Sequence, residues 1–409
     1  MNTQQLAIAL VSSSYHPHFG GVEEHVRHVS RELRTRGHRV EVWTVDRGDG
    51  LRDEIVEGCR VRYLPTPLPA RSAHALGSFA VHSSPAVAAW VRAHAQFRAD
   101  VINIQCFGPN GVYALALSAL THTPLVVSSH GETLMDEHGA FDQSALLRAS
   151  LRRALGSSAV TACSDVVADD LRTRFGAKTV SVIPNGVRLR AAEERRQPPP
   201  PKRQGTPVLI GAGRLVPQKG FDVLLSAAAR STYDPEVWIV GEGAERSRLE
   251  ELASTLGISE RVRFHGRRTA TEVQELMTEA DAVVVPSRIE PFGIVVLEAW
   301  ASGTVVVATS RGGPAGFVSD GVDGLLVDPE DLPSVVEAID SVIGDPAFAT
   351  RLALAGLKTV QGFTWSRVAE HYEQTYAQTL STAPGRRGRT RRHQAPGRLR
   401  SLSRRNERG

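Results

Sequence analysis

Two glutamates, Glu290 and Glu298, bracket a Pro-Phe-Gly in the stretch SRIEPFGIVVLEAW, which is otherwise mostly apolar. Proline suits the first helical turn and pushes the preceding residue out of the helical region, so a helix is expected with Glu290 at its cap and Pro291 just inside it. The first-turn N–H groups, on Phe292, Gly293 and Ile294, then lack intrahelical partners, and with the helix dipole they favour an anion or sugar oxygens. Gly293 keeps that approach open. At about 1.5 Å per residue, Glu298 falls roughly 12 Å beyond Glu290. The two carboxylates could hold opposite ends of one elongated, polyhydroxylated ligand. The alternative is a capping glutamate and a second one on a solvated face.

Other chemically capable residues follow short β-rich runs, where open α/β sheets bind ligands. GAGRLVPQKGFD places Arg214 and Lys219 on either side of a Val-Pro turn. A fixed fork of donors and a mobile point charge suit a diphosphate; a basic surface turn is the alternative. In VGEGAER, Gly241 and Gly243 would let a nucleotide approach the backbone. In HFGGVEEHV, Gly20 and Gly21 stand between strand and helix, as a phosphate site or simply as turn residues. His130, in HGET, stands at the mouth of the expected cleft, although a lone histidine is more often structural. There is no Asp-x-Asp, His-Glu-x-x-His or Cys-x-x-Cys, so no metal site is predicted. The charge of a departing diphosphate would then fall to Arg214, Lys219 and helix N-termini.

The elements that must position these residues alternate between β-rich runs and amphipathic segments. Strands are predicted at 6–12, 38–45, 101–105, 124–129, 159–163 and 180–183, with a helix presenting Val22, Val26, Val29 and Leu33 on one face. A second series of strands falls at 208–212, 237–240, 262–265, 282–285, 305–308 and 324–327. Helical stretches such as 221–229 alternate with them, and further helices follow Asp331 and Thr364. Between the two series, four consecutive prolines and several charges mark a linker. The predicted class is α/β, with two Rossmann-like domains facing each other across a cleft. They span 1–189 and 207–380 around a linker at 190–206, and the last helix is able to pack back on the first domain. Residues 65–85 are expected to be a loop on the acceptor side or an irregularly packed segment.

At 409 residues, two domains are the natural expectation. No apolar run approaches the roughly 18 residues of a membrane span, and the run at 6–11 is too short for a signal peptide. Three scattered cysteines, Cys59, Cys106 and Cys163, fit a reducing compartment. The expected location is cytoplasmic. Residues 384–409 carry ten arginines and one glutamate, net +9 against +4 for the whole chain, so the body carries −5. The basic balance therefore reports a low-complexity tail rather than a nucleic-acid-binding fold. Such a tail could touch anionic lipid and hold the protein peripherally at the inner membrane face, or remain solvated without a partner.

Together, GRLVPQKGFDVLL, VGEGAER, VRFHG, PSRIEPFGIVVLEAWASGTVVVAT and DGVDGLLVDPED resemble, in order and spacing, the GT-B glycosyltransferases of family 4, and GGVEEHV and VIPNGV match its first domain. The resemblance covers about residues 6–380. It implies a retaining hexosyltransferase that moves sugar from a nucleoside diphosphate donor, a co-substrate rather than a cofactor, to a saccharide, lipid-linked or small-molecule acceptor. By matching position, it implies that Glu298 holds the ribose hydroxyls and that Arg214 and Lys219 hold the diphosphate. Glu290 and the N–H groups of Phe292, Gly293 and Ile294 would meet the transferred sugar. Gly21 would lie by the distal phosphate and His130 near the reactive face, with no protein-bound metal needed. Two positions depart from the family: Gly316 stands where a glutamate is frequent, and Arg188 where aspartate is common.

A nicotinamide-dependent dehydrogenase fails because Val216 occupies the third glycine position of G-x-G-x-x-G. A phosphorylase lacks an evident cofactor lysine. A nucleotide-sugar epimerase and a noncatalytic nucleotide-sugar sensor remain as alternatives, separable by acceptor dependence and by turnover.

Overall fold

The computed structural model describes residues 4–18, 20–48, 53–68, 73–136, 139–189 and 205–382, and for 73–81 the backbone alone. The Arg-rich segment 384–409 and most of the Pro-rich linker lie outside these residues. The first sheet contains β1 (Ala7–Ser12), β2 (Arg39–Val45), β3 (Glu54–Val56), β4 (Cys59–Leu64), β5 (Val101–Gln105), β6 (Leu125–Ser129), β7 (Ala159–Ala162) and β8 (Ser181–Val182). Its order is β3-β4-β2-β1-β5-β6-β7-β8, and all pairings are parallel except β3 with β4. The central strands are buried on both faces, which is why AIALVS in β1 reads as an unbroken apolar run.

Helices α1 (Gly21–Thr35), α2 (Ala73–Phe97), α3 (Pro109–Thr121), α4 (Ala140–Gln143), α5 (Ala145–Ser157) and α6 (Asp165–Phe175) belong to this half. Two features differ from the sequence expectation. The hairpin β3–β4 was not predicted. It turns at Glu57 and Gly58, both in the left-handed region, a pair that suits a two-residue hairpin turn but lacks the usual Asn-Gly signal. The segment expected as a loop at 65–85 is instead helical from Ala73 onward and carries Pro85 inside α2. Packing of Ala86, Trp90, Ala93 and Phe97 into the core outweighs the local cost of that proline.

The second sheet contains β9 (Val208–Ala212), β10 (Glu236–Val240), β11 (Val262–Gly266), β12 (Ala282–Val285), β13 (Val305–Thr309) and β14 (Leu325–Val327), all parallel in the order β11-β10-β9-β12-β13-β14. Around it lie α7 (Phe221–Ala228), α8 (Arg246–Thr255), α9 (Ala270–Glu279), α10 (Ile294–Ser302), α11 (Leu332–Gly344) and α12 (Pro346–Thr359). Trp300 of α10 is fully buried and its indole N–H donates to the carbonyl of Asp323 at 2.7 Å. No helix among the described residues is long and apolar enough to cross a membrane.

The last helix, α13 (Trp365–Thr382), follows the second sheet but packs on the first: Trp365, Val368, Ala369, Tyr372 and Tyr376 share a core with Val26, Val29 and Leu33 of α1. The chain therefore crosses between the halves twice, and the crossings touch. The Val187 N–H donates to the Phe363 carbonyl at 2.9 Å, and Val187 pairs in parallel with Thr364. Gly186 allows this approach, because a Cβ there would stand 2.7 Å from the Trp365 nitrogen. Gly186→Ala is expected to push the crossings apart and lower stability by about 1–3 kcal/mol, as overpacking does, read as a fall in the urea midpoint with an unchanged slope.

Candidate active site

In each sheet a strand lies between two neighbours reached by opposite crossovers: β1 between β2 and β5, and β9 between β10 and β12. Clefts for ligands open at the carboxyl ends of such strands. The turn after β9 carries Arg214 and a short 3-10 segment, Pro217–Lys219. The Lys219 Nζ donates to Glu290 Oε2 at 2.7 Å, and the Ser287 hydroxyl donates to the same oxygen at 2.9 Å. Glu290 is buried and Lys219 nearly so. Arg214 is exposed and has no carboxylate partner among the described residues, so its guanidinium is free to meet an anion.

The helix after Glu290 does not begin where the proline rule put it. Glu290 pairs in parallel with Gly312, and its carbonyl accepts the Gly313 N–H at 2.7 Å. That tertiary bond takes the acceptor a helical turn would have used. Pro291 and Phe292 continue as connecting chain, with the Phe292 ring stacked on Phe317 at 5.0 Å. The cap is Gly293, left-handed at φ 96°, and α10 starts at Ile294. Of the three N–H groups expected in the first turn, only that of Ile294 is there; those of Phe292 and Gly293 precede the helix.

Glu298 lies on α10 and is half-buried. Burial, and second the charge of Glu24, push its carboxyl up to about 7. Glu24 itself pairs with Arg27 at 2.6 Å and with His28 at 3.4 Å. The two halves meet here: Gly20 is the cap of α1 and Gly21 its first residue, and a Cβ on Gly21 would lie 3.7 Å from Ile294 Cδ1. Gly241 sits against the turn after β9, where a Cβ would stand 1.8 Å from the Gly213 carbonyl oxygen, so a glycine is demanded there by loop packing alone.

His130 follows β6 on the opposite wall. Its Nε2 lies 2.7 Å from Gln105 Oε1, and its backbone N–H donates to Glu132 Oε2 at 2.9 Å. Burial pulls the imidazole down to about 4, so it is neutral near pH 7. The next residue, Gly131, is left-handed, and a Cβ there would stand 2.4 Å from Pro291 Cβ. The Ser164 hydroxyl donates to the Pro291 carbonyl at 2.5 Å. The loop of Glu290 and the loop of His130 are thus in contact across the cleft.

Several residues of this region carry no isolated sequence signal. Glu132 accepts from the Phe107 N–H and the Ser129 hydroxyl, each at 2.8 Å, as well as from His130. Burial raises its pKa, opposed by those bonds. Ser164 reads as a helix cap for α6, which it also is. His25, Gln105, Asn185 and Tyr372 come together only in the fold. Gly316, where the related family frequently has glutamate, is exposed with open space around a Cβ. Arg188 is exposed, and its carbonyl accepts from Gln274 at 3.2 Å. Among the described residues no cluster of three His, Cys, Asp or Glu side chains could hold a metal ion.

The Glycosyl transferases group 1 family matches residues 192–359, and Glycosyltransferase Family 4 matches residues 19–191. Glycogen synthase of Mycobacterium tuberculosis is 30% identical over 405 residues, covering 91% of this chain and 94% of that protein. Lipopolysaccharide core biosynthesis glycosyltransferase LpsE of Rhizobium meliloti is 41% identical over 180 residues, 44% of this chain and about half (51%) of its own length. Among solved structures, sucrose-phosphate synthase of Thermosynechococcus elongatus superposes with a TM-score of 0.75 at 25% identity, over 91% of this chain and 99% of that one. Anabaena HepE in complex with UDP and glucose gives 0.72 at 25% identity, over 92% and 100%.

The neutral state of His130 has a consequence for stability. Its folded pKa, about 4, lies below the 6.5 of an exposed imidazole, so the unfolded chain binds the extra proton between those values. Its contribution is complete above pH 6.5 and is lost as the pH falls through 4. The slope is at most about 1.4 kcal/mol per pH unit. The raised Glu298 acts in the opposite sense, its contribution being present below pH 4.5 and lost as the pH rises through about 7. Comparing wild type with His130→Gln cancels that second effect. The wild-type protein is expected to lose stability relative to His130→Gln between pH 6.5 and 4.5 in urea unfolding series.

Proposed function

The chain belongs to the group 1, family 4 glycosyltransferases, and from that premise we propose a retaining, metal-independent hexosyltransferase using a nucleoside diphosphate sugar. The observation that carries this reading is the Lys219–Glu290 pair at the mouth of the second sheet, facing the His130 loop across a contact at Pro291 and Gly131. Both bonds to Glu290 use Oε2, which leaves Oε1 for a sugar hydroxyl. Lys219 supplies a fixed cation and Arg214 a free one beside it. Cleavage of the anomeric C–O bond builds negative charge on the departing diphosphate and oxocarbenium character on the sugar. Preorganised cations there stabilise the leaving group without a metal. A neutral His130 suits the sugar's reactive face, since a cation would oppose the developing positive charge.

Glu298, on the helix whose first residue, Ile294, meets Gly21 of α1, is assigned to the ribose hydroxyls. HepE was solved with UDP and glucose, which favours a uridine nucleotide as the first donor to try. The acceptor is a saccharide, a lipid-linked sugar or a small molecule. The membrane role of residues 384–409 rests on their charge, net +9, and a liposome-binding comparison with a chain ending at 383 tests it.

Thermal unfolding in EDTA with UDP, GDP, ADP and their sugar conjugates tests the donor site. The matching nucleotide should add roughly 2.7 kcal/mol at 100 times its dissociation constant, and added magnesium should change nothing. Lys219→Gln, which keeps a hydrogen-bond donor for the buried Glu290, is expected to weaken that nucleotide by about 2 kcal/mol, roughly thirtyfold. Wild-type affinity in that variant would remove the diphosphate assignment. The retaining outcome is read from the anomeric proton coupling of the first product formed.

A further inference from the structure

We propose that His25 is a positioning residue for glycosyl transfer, packing edge-on against His130 so that the His130 ring stays against Gln105, and tying it to the two crossings between the halves. The proposal rests on His130 acting in the cleft as stated above. His25 lies on α1, fully buried, in the GGVEEHV segment. Its Nδ1 is 2.7 Å from Asn185 Oδ1, on the first crossing. Its Nε2 is 3.2 Å from the Tyr372 hydroxyl, and its ring meets the edge of Trp365 at 5.5 Å, both on the helix after the second crossing. The His25 and His130 ring centroids are 4.4 Å apart at 61°. One imidazole thus touches both crossings and the candidate catalytic ring.

The hydrogen-bond directions follow from the donors each group has. His25 is neutral: burial, and then the proximity of His130, hold it well below the usual histidine range. A neutral imidazole donates from one nitrogen and accepts at the other. The Asn185 oxygen needs a donor, so Nδ1–H points to it and Nε2 accepts the Tyr372 hydroxyl. That hydroxyl has one proton, so it cannot also donate to Gln105 Oε1, 3.4 Å away. Gln105 is oriented from its other side, where its amide nitrogen donates to Asn103 Oδ1. Asn103 in turn donates to the Ser128 hydroxyl at 3.0 Å, and Thr161 donates to the same oxygen at 2.8 Å. Gln105 therefore presents its oxygen to His130, which must donate from Nε2. Its Nδ1 has no partner among the described residues and is left as an acceptor.

The test has two arms. In nitrogen-15 NMR of histidine-labelled full-length protein, the His130 signals are those lost in His130→Gln. They should show a protonated Nε2 and an unprotonated Nδ1, the state that Gln105 sets, and His25→Ala should shift and broaden them as the ring loses its packing partner. The opposite tautomer, or a His130 signal unmoved by His25→Ala, overturns the proposal. In the kinetic arm, turnover is followed as nucleoside diphosphate release from UDP-glucose, GDP-mannose or ADP-glucose, whichever stabilises the wild-type protein. His25→Ala should lower kcat roughly tenfold to a hundredfold with KM near wild type, as misplacement of a reacting group does. Tyr372→Phe, which removes only a hydroxyl and preserves packing, should act in the same direction. His25→Gln, which keeps an acceptor for Tyr372, should recover part of the loss. In a His130→Ala background, His25→Ala should have no further effect on kcat. A full multiplicative loss there sinks the inference while leaving the His130 role standing. Wild-type kcat in His130→Ala itself sinks both.

Discussion

The burial of α13 against α1 governs how everything else is arranged. A helix that follows the second sheet in sequence contributes Trp365, Tyr372 and Tyr376 to the core of the first half. Fully burying one large apolar side chain gains about 1.5–3 kcal/mol, so these three rings hold the two crossings together more firmly than the single bond between Val187 and Phe363 does, even against the cost of the Tyr376 hydroxyl, buried without a partner among the described residues. The same helix delivers the Tyr372 hydroxyl to His25, whose ring packs against His130. A cleft between two sheets would otherwise be free to open about any axis. Here the touching crossings tie the two walls together on one side.

Polar groups are buried on both walls, and the two walls solve that problem differently. The second half offsets the burial of Glu290 with Lys219 and a serine hydroxyl, keeping opposite charges 2.7 Å apart. Removing one partner of such a pair is costly because the other is left uncompensated. The first half instead uses neutral groups, Asn103, Gln105, Ser128 and Thr161, each nearly or fully inaccessible. A neutral chain carries direction without net charge, which in the proposed reading suits a wall beside a developing oxocarbenium ion.

Both β-α series were legible because parallel strands buried on two faces read as short apolar runs, as in β1, β9 and β12. The β3–β4 hairpin escaped because its turn uses Glu57 and Gly58 rather than a strong turn pair. The start of α10 was misplaced because a local proline rule lost to the pairing of Glu290 with Gly312, a partner distant in sequence. Lys219 and Glu290 were both singled out, but their ion pair was invisible, since nothing in a linear spacing of 71 residues encodes contact. The polar chain through His25, Asn185 and Tyr372 was illegible for the same reason: its members lie 160 and 347 residues from His25.

Glu24 and Glu298 complete the physical picture of closure. One lies on α1 and the other on α10, and burial, with the Glu24 charge as the smaller cause, holds a proton on Glu298 up to about pH 7. Arg27 and His28 compensate Glu24, and among the described residues no such partner accompanies Glu298. In the proposed reading, closure of the cleft near neutral pH keeps this carboxyl group in surroundings that disfavour its ionised form. Hydroxyl donors placed between the two helices, as a ribose would place them in the proposed reading, reverse that preference by hydrogen-bonding to the ionised carboxylate. A ligand that binds the closed state better than the open one shifts the population toward closure by its differential affinity alone. In that reading, the carboxyl that disfavours closure without a donor becomes one of the contacts through which a donor selects the closed state.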